Sequence, residues 1–310
     1  MSSESLVVPK ENKYYLILAI FSGFAWLLLL ISVVGIFYAA SLALFMWLAN
    51  GLLVANLKSN AVKVTDGQLS DLKTTLLEVC EKLGIQQVPE MYVLQSEGFL
   101  NAFATRHSGR HFIVIYSTIL DAFGPKSEKM KFLIGHELGH IRQNHISKQI
   151  FILPALLLPL LGNAYGRARE CTCDNYGAYA CGDINGAIDA MMVLSGGVGY
   201  YQKMSAQEFS NQHQAERGFF VSWLELISGY PTLSQRVCRL ISLRDQVEYQ
   251  NPSRHPLAYA FGLFSIGGNR DRTFGILITI TVVAILVGML MPALSSAQNA
   301  AHRTKAVQYE

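Results

Sequence analysis

From Tyr14 to Leu57 no side chain carries a formal charge. As one helix this stretch would extend roughly 66 Å, about twice the hydrocarbon thickness of a bilayer. The pattern therefore predicts a transmembrane helical hairpin over 14–57, two spans of about 20 residues turning near Ser32–Tyr38. Lys10 and Lys13 precede it and Lys58 and Lys63 follow it, while the turn is uncharged, so the positive-inside rule places both ends in the cytoplasm. Residues 1–13 read as a polar, mobile N-terminus; Glu4, Glu11 and the length of the apolar run do not fit a cleaved leader. A second uncharged run predicts a C-terminal span over 274–294, followed by a tail over 295–310. Ile150–Leu161 is apolar too, but it contains Pro154 and Pro159 and covers only about 18 Å as a helix. It either dips into the membrane interface or packs on the hairpin.

Between the apolar runs the periodicity changes. Leu69, Leu72, Leu76, Val79 and Leu83 recur at helical spacing and predict a helix over 66–83, capped by Asp66 and closed at Gly84. Pro89 leads into a β-type stretch at 91–95. Two β-prone runs, 99–105 and 111–116, flank Ser108-Gly109 and predict a β-hairpin, with His107 and His111 on its surface. Ser127 and Glu128 open a central helix, where a carboxylate suits the helix dipole. Further helices are expected over 183–204 and 206–228, broken at Ser195–Gly197, and from Tyr230-Pro231 through Arg236. The polar residues 246–256 open a linker that continues over 251–273 to the last span. The mixture is α+β: mostly helical, with a small β-sheet and transmembrane helices.

Composition narrows the function. The net charge of +3 is too small to argue for a nucleic-acid partner. Hydrophobic residues make up 51% of the chain and charged ones 15%, and the apolar excess is localised in the runs above. Five cysteines at irregular spacing form no disulfide framework, which fits a reducing compartment.

The chemistry is concentrated in the central helix. His136-Glu137-Leu-Gly-His140 reads H-E-x-x-H, which places two imidazoles one turn apart on one helix face, able to share a metal ion. Glu137 lies about 100° around from His136, where a general base is wanted. Catalytic zinc usually takes three protein ligands and keeps a fourth position for water. Glu170 is the best candidate for the third, and Asp174, one turn further on, can hold the second nitrogen of a ligating histidine. The rival ligands, Cys171, Cys173 and Cys181, rank behind as buried, inert thiols. Gly135 and Gly139 each cost roughly 1 kcal/mol in a helix interior and make sense where another backbone or a substrate comes close. His145, about 140° around from His140 on a continuous helix, is expected to be solvated.

Asn101-Ala-Phe-Ala-Thr, then H-E-L-G-H, then Arg167-x-x-Glu170-x-x-x-Asp174, then Tyr-Pro-x-Leu-x-x-Arg236 occur in that order. This ordered set resembles the HtpX-type integral-membrane zinc metallopeptidases, family 48 of the metallopeptidases, gluzincins related to the CAAX prenyl proteases. The resemblance covers roughly residues 65–245. It implies a zincin-like metallopeptidase domain over 58–250, one Zn²⁺ per chain held by His136, His140 and Glu170, and Glu137 as the base. It also implies that the strand Asn101, Ala102, Phe103 borders the cleft and offers backbone hydrogen bonds to an extended peptide. The family commonly has His-Pro where this chain has Tyr230-Pro231, and the membrane crossings that HtpX places between the second histidine and the glutamate are reduced here to Ile150–Leu161. The oxyanion donor stays open among Tyr230, His213 and Arg236, with pairing to Asp174 as the plainer role for Arg236 and a surface position as the plainer one for His213. The expected function is a membrane-bound metalloendopeptidase of the inner or plasma membrane with its catalytic domain in the cytoplasm. Its expected partners are the lipid bilayer and misfolded or membrane proteins. The competing expectation is a catalytically silent zinc-binding scaffold of the same fold.

Overall fold

The computed structural model describes residues 6–95 and 102–264. The expected span at 274–294, the tail at 295–310, Asn101 and the far end of the 251–273 linker lie outside them.

Two apolar helices open the chain, α1 (Pro9–Ile31) and α2 (Val33–Asn60). They break at Ser32, whose hydroxyl caps α2 by accepting from the Gly35 N–H at 2.8 Å. Both are long and apolar enough to cross a membrane, and most of their large side chains face outward, Phe37 at 75% exposure and Val33 at 79%. At 28 residues α2 is about 42 Å long, which exceeds a hydrocarbon core by roughly 10 Å. Its far end uses the surplus: Val54 is buried with Tyr92 and Phe112 of the sheet. Residues 9–13, read from sequence as mobile, are instead the first turns of α1, and Glu11 is buried.

The sheet has four strands in the order β1-β2-β4-β3: β1 (Val62–Lys63), β2 (Glu90–Leu94), β3 (Ala102–His107) and β4 (Arg110–Tyr116). β2 and β4 run parallel, and β1 and β3 join antiparallel at the two edges. Ser108 and Gly109 both take positive φ, the two-residue turn that suits the twist of a β-hairpin. β3 is an edge strand that leans on the central helix. The helix expected over 66–83 starts later, as α3 (Ser70–Lys82). Thr65 and Gln68 exchange backbone hydrogen bonds across Asp66-Gly67, so Asp66 serves a tight turn rather than a cap.

After α4 (Ser117–Phe123) comes the central helix α5 (Glu128–Arg142), capped by Ser127, whose hydroxyl accepts from Met130 N–H at 3.1 Å. It is buried on all sides from Phe132 to Ile141. Two short helices follow, α6 (His145–Phe151) and α7 (Leu153–Leu156). They pack on α1, the second of the two expectations for this stretch: Ile152, Ala155 and Leu156 bury Leu18, and Ser22 Oγ accepts from Ala155 N–H at 3.1 Å. The long helix α8 (Leu161–Ala180) then crosses α5, and α9 (Ile184–Gly196) ends at Gly197, φ +78°, where the break was expected.

The predicted helix 206–228 is split at Gly218 into α10 (Ala206–Ala215) and α11 (Phe219–Ile227). Thr232 caps α12 (Leu233–Arg244). The 246–256 segment is packed rather than a free linker. Glu225 is buried between Arg217 Nη1 at 2.6 Å and Arg254 Nε at 2.8 Å, and α13 (Pro256–Gly262) lays Phe261 against Phe219 and Trp223.

Candidate metal centre

α5 and α8 meet through small residues. A Cβ on Gly135 would stand 2.5 Å from Ala180 Cβ and 3.0 Å from Gly177 Cα, and one on Gly139 would stand 3.2 Å from Cys173 Cα. Glycine at both positions lets the two backbones approach, and that approach brings the histidine face of α5 onto the carboxylates of α8. His136 Nε2 lies 3.3 Å from Glu170 Oε2, and His140 Nε2 lies 3.7 Å from Glu170 Oε1. Two ligands of one tetrahedral zinc, bonded at about 2.0–2.1 Å, stand about 3.3 Å apart. Each of these carboxylate–imidazole distances is compatible with a pair of ligands on one metal ion, one pair through each carboxylate oxygen. Among the described residues, the trio whose donor atoms all lie within 4.8 Å of one another is His136, His140 and Cys173, without Glu170. Cys173 Sγ, however, sits 3.7 Å from His145 Nδ1, and burial pushes its thiol well above the usual range, which disfavours the thiolate a metal needs. All five cysteines are buried and free.

Asp174 Oδ1 is 2.9 Å from His136 Nδ1, and Arg236 donates from Nε to Asp174 Oδ2 at 2.8 Å and from Nη2 to Oδ1. A carboxylate on Nδ1 fixes a proton there, so Nε2, whose own proton faces Glu170 in the metal-free protein, is the nitrogen a metal would take by displacing that proton. Burial opposes charge on His136, but hydrogen bonds to Asp174 and Glu170 outweigh it and lift its pKa to about 9. Burial drives His140 the other way, well below the ordinary imidazole range. Burial would also raise Glu170 and Asp174. The two histidines and Arg169 nevertheless hold Glu170 well below the usual carboxylate range, and Arg236 with His136 holds Asp174 down. Glu137 is buried beside this cluster.

Of the three oxyanion candidates, His213 is buried rather than on the surface, with Nε2 3.2 Å from the Tyr249 hydroxyl, and Arg236 is engaged by Asp174. Tyr230 follows Gly229, whose carbonyl would be 2.8 Å from a Cβ on Gly166, so this turn is pressed onto α8 one turn before Glu170. Three residues of the neighbourhood were not expected at the site from sequence: Arg169, His145 and Glu11. Arg169 Nη2 lies 3.5 Å from Glu170 Oε1 and steadies it. His145, expected to be solvated, is 1% exposed, with Nδ1 3.0 Å from His140 Nδ1. Its other nitrogen, Nε2, is 2.9 Å from Glu11 Oε1. The correction has a local cause: Asn144 takes φ +53°, which ends α5 and turns His145 back onto the site. An asparagine after the last helical residue was the only signal for it.

The sequence profile of peptidase family M48 matches residues 67–244, more than half of the chain. The chain belongs to peptidase family M48. It is therefore a metallopeptidase by family, and the M48 region contains His136, Glu137, His140, Glu170, Asp174 and Arg236. Glu11 and both long apolar helices lie before that region. No curated protein and no solved structure matches the chain.

Proposed function

We propose that this M48 peptidase is a membrane-tethered zinc endopeptidase in which His136, His140 and Glu170 hold the ion and Glu137 is the general base. The observation that carries the reading is the Glu170 carboxylate lying 3.3 and 3.7 Å from the two Nε2 atoms, the spacing of ligands on one zinc. A zinc ion there supplies a Lewis acid and lowers the pKa of a water toward neutrality. Glu137 takes a proton from the attacking water at its carboxylate and returns it to the departing amine nitrogen. Asp174 holds the Nδ1 proton of His136 through this cycle, and Arg236 keeps Asp174 ionised. Tyr230 is the oxyanion donor we carry forward, since its hydroxyl can donate and its turn is held against α8.

An extended peptide would add to the edge strand β3 at Ala102 and Phe103. The α1–α2 hairpin would anchor the domain in a bilayer, with membrane or misfolded proteins as substrates. The test is a Glu137→Gln variant purified in detergent, with zinc content measured beside cleavage of casein. Zinc retained with cleavage lost supports the reading. A wild-type protein that binds no zinc refutes it, and a variant that still cleaves removes Glu137 from the role.

A further inference from the structure

We propose that Glu11 and His145 are positioning residues for His140, so that the metal centre is completed by the first apolar helix. The inference rests on the metal ligands proposed above and concerns what orients one of them.

The two histidines of the centre are supported differently. His136 is served from within the M48 region, by Asp174 and Arg236. His140 is served by His145, and His145 by Glu11, from a helix that lies outside it. The chain of contacts has only one proton arrangement that suits a metal. Glu11 Oε1 accepts, so the His145 proton sits on Nε2 and its Nδ1 carries a lone pair. That lone pair accepts from His140 Nδ1–H, which leaves the His140 Nε2 lone pair directed at Glu170 and the ion. In the reverse arrangement a lone pair on His145 Nε2 would face a carboxylate at 2.9 Å, and His140 Nε2 would carry a hydrogen where the ion belongs. Glu11 therefore selects the tautomer of a histidine two residues removed from it in the relay, although they are far apart in sequence.

The segment that delivers Glu11 is strapped to α8 independently of the relay. Leu6 is fully buried in the main core. Asn175 Nδ2 donates to Leu6 O at 2.9 Å, and Val8 N–H donates to Thr172 Oγ1 at 3.0 Å. These bonds separate the two roles Glu11 might have, since docking can be weakened at Asn175 without touching a proton of the relay.

The experiment uses the full-length protein in detergent and reads zinc affinity by competition with a chromophoric chelator, alongside peptide cleavage. Glu11→Ala and His145→Ala are each expected to weaken zinc binding about 10–100-fold, the usual effect of losing a residue that orients a metal ligand. Glu11→Gln, whose amide oxygen still accepts from His145 Nε2–H, is expected to lie between wild type and Glu11→Ala, and it gives the same answer should the alanine variant fail to fold. Asn175→Ala is expected to bind zinc as wild type does. A folded Glu11→Ala that keeps wild-type affinity overturns the relay, as does an Asn175→Ala that loses as much as Glu11→Ala. Failure of the underlying ligand assignment has a separate signature: a Glu170→Ala that holds zinc as tightly as wild type.

Discussion

Gly135→Ala tests the connection between helix packing and the metal centre. The added Cβ would stand 2.5 Å from Ala180 Cβ, against an ordinary contact of 3.4–4 Å, and the next neighbours are backbone atoms of Gly177 and Tyr176 at 3.0 and 3.1 Å. Neither helix can yield locally, so α8 must move off α5 by about 1 Å at this end, the shortfall from van der Waals contact. Overpacking of this kind costs about 1–3 kcal/mol. Alanine returns about 1 kcal/mol of helix propensity relative to glycine. The net is a destabilisation of about 0–2 kcal/mol, too broad a range to make thermal stability a decisive readout. Zinc affinity is the sensitive one, because ligand distances tolerate only about 0.2 Å. Ala180 is roughly 15 Å along α8 from Glu170, so even a quarter of the displacement reaching Glu170 exceeds that tolerance. Gly135→Ala is expected to lose at least about tenfold in zinc affinity by chelator competition, with a melting temperature lowered by no more than about 8 °C. Adding Ala180→Gly removes the shortest contact and should recover most of the loss. Wild-type affinity in the single variant, or no recovery in the double, would refute the reasoning.

Arg236→Ala leaves Asp174 buried with its charge compensated only by His136, and a destabilisation of roughly 3–5 kcal/mol is expected in a thermal or denaturant melt; a change under 1 kcal/mol would mean that Asp174 takes a proton at little cost. Cys173→Ser should retain zinc near wild-type affinity because burial keeps the thiol protonated; a zinc-free variant would make Cys173 a ligand. In the metal-stripped protein His136 is raised from 6.5 to about 9, so its contribution to stability is full below pH 6.5 and is lost as pH rises through about 9. Zinc must displace that proton, so uptake should strengthen over the same window. Melts and zinc titrations between pH 6 and 9.5 that trend together, rather than oppositely, would contradict this.

What was legible in the sequence is what depends on local spacing. His136 and His140 share a face because they are one turn apart, and Glu170 and Asp174 do likewise on α8. The small residues Gly135 and Gly139 signalled a close approach and met α8 there. The uncharged stretch predicted two helices and the place of their break, and Ser108-Gly109 predicted the β-hairpin. What stayed hidden depends on tertiary contact. His145 looked solvated because a continuous helix would turn it away, and one left-handed residue reverses that. Glu11 looked like part of a polar, mobile N-terminus because its partner is 134 residues away. Arg254 looked like linker because polarity reads as exposure unless a buried Glu225 is known to be waiting for it.

The contact between α2 and the hairpin bears on how a substrate would be measured out. In a two-residue β-hairpin the paired residues next to the turn bond each other, and the following pair turn their backbone groups outward. Arg106 is in that outward pair, opposite His111, and its carbonyl accepts from Asn50 Nδ2 at 2.5 Å. Asn50 Oδ1 also takes the Thr105 hydroxyl at 3.1 Å. The turn end of this edge is thus closed by a side chain of the apolar helix. A peptide that added to β3 as proposed above would halt at Arg106 and could lengthen only toward Ala102, and α2 would then be an end-stop for its register.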